Sequence, residues 1–157
     1  MKKIIYIIFL IFIFSCKNKN ISNIIIKYDK SSAINLFKGK ITIRYLEKKD
    51  SIYNFKISDK EIDMIRQIYI NQNISKYESK TLIVDSKPII MPATDIKYII
   101  SFNDSTEQEF IIRTDFRSNP LSTGQFKNFK VFIEKIDSII KLEKEFKGII
   151  KSDYIYM

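Results

Sequence analysis

The chain has 157 residues, 45% hydrophobic and 29% charged, with three Gly, three Pro, one Cys and neither His nor Trp. One globular domain accounts for this length, and the balance of apolar and charged residues excludes a disordered tail. Without imidazole, and with the lone Cys16 inside an N-terminal leader, the body cannot assemble a Ser-His triad, a thiol protease centre or a zinc site of His and Cys. The formal charge is +9, and removing Lys2 and Lys3 with the leader leaves +7. Ile supplies 35 residues, Lys 23 and Asn ten, against two Ala and four Arg, the bias of an A+T-rich coding sequence. Lys abundance therefore says little about partners. A nucleic-acid surface would interleave clustered Arg with stacking aromatics, and no such stripe occurs, so a solvated basic surface is expected and no nucleic-acid partner.

Met1, Lys2 and Lys3 form a positive start, and Ile4 to Phe14 follow as an unbroken apolar stretch. That is the layout of a secretory signal. As a helix it would rise about 16 Å, roughly half of a 30 Å hydrocarbon core, too little to span. Its ending Ile13-Phe14-Ser15-Cys16 resembles a bacterial lipoprotein lipobox, and the short Lys-Lys leader with a Ser-Cys ending is similar to that of small Bacteroidota lipoproteins. The resemblance covers about the first 20 residues and carries no catalytic motif. It implies a signal peptide over 1–15 and acylation at Cys16, the two-chain kind of anchor that holds a soluble domain on a bilayer. Residues 17–23 read as a polar tether, with the domain proper over 24–157. Lys17 and Lys19 stand where surface-exported lipoproteins of that group carry acidic residues, which points to the periplasmic face of the outer membrane.

Ile24 to Tyr28 reads as a strand, and Ile41, Ile43 and Tyr45 alternate with Thr42 and Arg44 in a second. The turn 47–50 leads to Ile52–Ile57, whose Tyr53, Phe55 and Ile57 share one face, predicting a hairpin with a half-buried face. Ser58 with Glu61 fits a capping box, and Ile62, Ile65 and Tyr69, with Ile68 beside them, predict a helix over 59–71. Thr81 to Val84 suits another short strand, and Pro88 and Pro92 then interrupt regular structure. Ile96, Tyr98, Ile100 and Phe102 alternate, residues 103–106 turn, and Phe110 and Ile112 line the return strand. Phe129, Phe132, Ile133, Ile136 and Ile140 trace the stripe of a second helix, with Asp137 and Lys141, and Glu143 and Lys147, paired on its outer face. The expected fold is α+β: an antiparallel sheet of two hairpins, each followed by a helix, with both helices on one face and flanking strands beside them. Phe55, Ile65, Ile100, Phe132 and Ile136 should sit at its centre.

Carboxylates are the remaining conventional acids and bases. Asp59, Glu61 and Asp63 start the first helix, and Asp95, Glu107, Glu109 and Asp115 surround the second hairpin. Helix-dipole and turn roles account for several of them. Gly39, Gly124 and Gly148 are isolated, so no phosphate-cradling loop or dinucleotide fingerprint exists, and no Asp/Asn run resembles a calcium loop. No cofactor and no metal are expected. The candidate binding segment is Arg113, Asp115, Arg117 and Asn119: the first three project to one side if the chain stays extended, and two of the four Arg lie there. A guanidinium fork suits a carboxylate, a phosphate or a sugar hydroxyl pair; an ion pair that secures a strand end is the competing reading. The resulting expectation is a non-enzymatic envelope lipoprotein that binds a protein or envelope polymer. A carboxylate-based hydrolase of envelope glycan is the alternative, and a structural anchor module the third.

Overall fold

The computed structural model describes residues 19–28, 32–45, 48–83, 94–114 and 126–142. Seven strands form one sheet in the order β4-β3-β2-β1-β6-β7-β5. They are β1 (Ile21–Tyr28), β2 (Ser32–Asn35), β3 (Lys40–Ile43), β4 (Ser51–Asn54), β5 (Thr81–Ile83), β6 (Thr94–Phe102) and β7 (Glu107–Thr114). Helix α1 (Asp59–Asn71) follows β4, a single 3-10 turn (Ile74–Lys76) follows α1, and helix α2 (Lys127–Leu142) comes after β7. The fold is α+β, as the hydrophobic periodicities require. Both expected hairpins form, β3 with β4 and β6 with β7, and each precedes a helix.

The hairpins are not neighbours, because β1 and β2 lie between them. β1 takes the centre, pairing with β2 on one side and β6 on the other. Its unbroken Ile24-Ile25-Ile26 run suits that place. The strand begins at Ile21, earlier than the tether expected over 17–23 allows. Ile21 is buried, and its carbonyl accepts a 3.0 Å hydrogen bond from Arg66 Nε of α1. Asn20 and Asn103 exchange two further bonds, so the domain grips its chain almost from Lys19 onward. β2 has no strong alternation in Ser-Ala-Ile-Asn; pairing on both flanks makes it a strand. β5 joins β7 in parallel, whereas every other pairing is antiparallel.

One sheet face is sealed by both helices. Ile24, Ile26, Ile34, Ile41, Ile43, Tyr98, Ile100, Phe110 and Ile112 alternate onto it and are buried. From above, Phe129 of α2 meets the Phe110 ring at 4.3 Å, and Tyr69 of α1 meets Phe102 at 5.9 Å and Phe132 at 6.0 Å, all edge to face. Phe55, Ile65, Ile100, Phe132 and Ile136 are all in this core, as their spacing led one to expect. The capping box also forms: Glu61 N donates to Ser58 Oγ, and Ser58 N donates to Glu61 Oε2 at 2.8 Å. The Ser58 hydroxyl, which also donates to Glu61 Oε2 at 2.7 Å, and then the Ser58 N–H hold the Glu61 carboxyl below its usual range.

Asp137 departs from the outer-face assignment. It is half-buried, and its negative charge acts on Tyr28 and Tyr98 of the covered sheet face. The apolar arc of α2 is broad enough that a residue on its margin is covered too. The opposite sheet face mixes half-buried Ile25, Ile99 and Ile111 with Lys97–Glu109 and Asp95–Arg113 pairs.

Candidate binding site

Arg113 lies directly across from Asp95 on the β6–β7 ladder. Its fork is filled: Nε donates to Asp95 Oδ1 and Nη2 to Oδ2, each at 2.8 Å. The bidentate hydrogen bond lowers the Asp95 pKa from its ordinary 3.8; partial burial opposes this, and the charges of Arg113 and Lys97 add to it. Asp115, Arg117 and Asn119, and the loop at 84–93, lie outside the described residues, as do Cys16 and the whole leader. Within the described part, Arg113 thus serves the sheet through a partner directly across the ladder.

The ion pair carries a pH signature of definite sign. Because the folded-state pKa of Asp95 lies below 3.8, its stabilising contribution is complete above that value and disappears as pH falls through the lower folded value. The stability difference between the wild type and Asp95→Asn should therefore be present at neutral pH, shrink on acidification and weaken with salt, since both partners are two-fifths or more exposed. Denaturant melts at several pH values would show it, and a difference independent of pH would refute the assignment.

Several other described carboxylates have local duties. Asp63 pairs with Arg66 at 3.0 Å, Glu109 with Lys97 at 2.9 Å, and Glu107 accepts from Ser101 Oγ at 3.0 Å. Asp104 is lowered by its hydrogen bonds from the Thr106 hydroxyl and backbone, and by Lys19. Glu61, Asp95 and Asp104 therefore all shift downward, the opposite of what the general acid of a glycosidase needs. The buried phenols move away from reactivity as well. Burial raises Tyr69 to about 12, while burial and Asp137 raise Tyr28 to about 12. Burial, and then the neighbouring Tyr28 and Asp137, raise Tyr98 well above its ordinary 10. All three stay neutral at physiological pH.

A concavity of about 360 Å³ opens where the C-terminal end of α1, the 3-10 turn and the β6–β7 turn meet the approach to β1. The buried Tyr69, Phe102 and Gln108 form its floor, and the exposed Lys19, Ile70, Ser75, Ser79, Thr106 and Glu107 its rim. Gln108 is the buried polar residue beneath it, only 8% exposed. Tyr69 Oη donates to its Oε1 at 2.6 Å, and its Nε2 donates to the Tyr77 carbonyl at 2.5 Å. The amide thus ties α1 and the following turn to β7 and holds the floor rigid.

The rim is held with similar economy. Lys19 Nζ is 3.3 Å from Asp104 and donates to Thr106 Oγ1 at 3.2 Å, while lying 5.7 Å from the centre of the Phe102 ring. Ser79 Oγ accepts from the Glu109 backbone at 3.1 Å. Ile70 remains 55% exposed at the mouth, and Ser75 is exposed beside it. A floor of two aromatic rings and one hydrogen-bonded amide, ringed by hydroxyls, one ammonium and one carboxylate, can hold a small amphipathic group.

This concavity was not among the sequence candidates. One signal was present: Gln108 has the same parity as the inward-facing Phe110 and Ile112, so a polar side chain interrupts an apolar register. Its partners come from positions 31 to 39 residues away, and no local pattern specifies them. Among the described residues no group of three or more acidic or Cys side chains is placed to hold a metal, and no helix is long and apolar enough to cross a membrane. No protein-family model, no curated protein and no solved structure matches the chain.

Proposed function

We propose that this protein is a non-enzymatic binding module of the cell envelope, anchored through Cys16, that receives a hydroxyl-rich segment of an envelope polymer in the concavity above Gln108. The observation that carries the reading is the position of Lys19: it walls the concavity and stands three residues after Cys16. Three extended residues reach about 10 Å, so acylation at Cys16 would keep the opening beside the bilayer surface. The hydroxyl and charged rim supports capture of a polar chain, and the downward-shifted carboxyls and neutral phenols support binding over proton transfer. Periplasmic orientation on the outer membrane follows from the leader and Lys17 and Lys19.

Two measurements test it. Cys16→Ala should move the protein from the membrane to the soluble periplasmic fraction and abolish labelling by an alkyne fatty acid; an unlabelled wild type would remove the anchor from the reading. Ser75→Trp should fill the mouth without disturbing a buried contact, since Ser75 is exposed. Binding of the full chain to envelope polysaccharide fragments, followed by calorimetry, should weaken at least about tenfold, with an unchanged Tm, as expected when a ligand is shut out of a preformed site. Equal binding by the variant would exclude the concavity as the site.

A further inference from the structure

We infer that the protein forms a symmetric dimer in which β4 pairs antiparallel with β4 of a second copy, in the register that places Tyr53 opposite Tyr53. The starting point is the end of the sheet: among the described residues β4 is the last strand beyond β3. Phe55 N donates to Gly39 O at 2.7 Å, so Phe55 directs its main chain toward β3. Alternate residues of an antiparallel ladder share that direction, and with the observed β3–β4 register Ser51 and Tyr53 do the same. Ile52 and Asn54 therefore point their N–H and C=O groups outward, with Lys56 and Asp50 continuing the series. Ile52 is also 55% exposed, a large apolar side chain on a strand that has no outer neighbour among the described residues.

Edges of this kind are normally guarded by like charges or by Pro. Here the flanking charges are of opposite sign. Asp50 and Lys56 are exposed and hold no ion pair among the described residues. They lie three residues to either side of Tyr53, on the same parity as Ile52 and Asn54.

An isologous contact requires that residue i meet j while j meets i. With Tyr53 on the two-fold axis, Asp50 of each copy faces Lys56 of the other, and Ile52 faces Asn54 as a hydrogen-bonded pair. Shifting the axis to Ile52 instead sets Lys48 against Lys56, and shifting it to Asn54 leaves Asp50 opposite Ser58. Only the Tyr53-centred register joins both charge pairs and satisfies the outward main-chain groups. The partner is thus a second copy of this chain, selected by charge complementarity, and the surface shares no residue with the concavity above Gln108.

Sedimentation of the full chain in detergent tests the dimer, with charge exchange testing its register. Asp50→Lys should weaken association about tenfold, because two attractive cross-strand pairs become two repulsive ones. Asp50→Lys combined with Lys56→Asp should restore it to within about twofold, since the pairs are re-formed with reversed sign. In a Cys16→Ser background, Tyr53→Cys should give an oxidised dimer. Non-hydrogen-bonded partners stand about 4.5 Å apart between Cα atoms, within the reach of a disulfide. Ile52→Cys and Asn54→Cys should cross-link far less. A wild type that stays monomeric at every concentration would overturn the proposal, as would a double charge variant no better than the single one or stronger cross-linking through Ile52→Cys.

Discussion

Replacing Phe129 with Ala should lower the unfolding free energy by about 3 to 5 kcal/mol. The ring is fully buried and has three aromatic neighbours: Phe110 of β7 at 4.3 Å, Tyr77 at 5.0 Å and Phe132 at 6.5 Å, each edge to face. Truncation removes the transfer free energy of the ring and leaves a cavity that helix and sheet close only in part. The position also joins three segments distant in sequence, so the loss falls on the whole cooperative unit and not on the helix alone. Val131, two residues on, is 39% exposed, and Val131→Ala should change stability by less than about 0.5 kcal/mol. Urea melts of both variants measure the contrast. A loss below about 1 kcal/mol for Phe129→Ala would mean that this side of α2 does not cover the sheet.

Gly39→Ala is expected to cost more than about 2 kcal/mol, because this turn residue is buried against the chain that follows β4. Gly39 closes the connection from β2 to β3 with a φ of +57°, and its N–H donates to the Leu36 carbonyl at 3.0 Å. A Cβ added there would stand 2.0 Å from the Phe55 carbonyl oxygen. Two penalties therefore combine: a left-handed conformation that costs an L-residue about 1 to 2 kcal/mol, and a clash with main chain that cannot rotate away. Relief requires β4 to move off β3 at the point where Phe55 N bonds Gly39 O. Lys38→Ala, one position earlier, should be nearly neutral, because Lys38 is exposed. If Gly39→Ala melted with the wild type, the turn would have another backbone conformation than the one described.

Local chemistry made much of this fold legible in the sequence. The period-two runs around Ile41, Ile96 and Phe110 and the helical stripes through Ile65 and Phe132 place apolar side chains on one side of each element, and burial follows directly from that geometry. The Ser58–Glu61 box formed because both partners are three residues apart and need nothing else. Longer-range features were decided by the tertiary structure. β2 becomes a strand only through two neighbours, and β5 through a parallel partner about 29 positions downstream. Arg113 found its carboxylate across the ladder in Asp95 because register, which no local spacing reports, sets who stands opposite whom. The concavity above Gln108 is the strongest case: composition excluded His and Cys chemistry at the outset, but a site assembled from α1, two turns, β7 and the residues before β1 exists only once these segments are packed together.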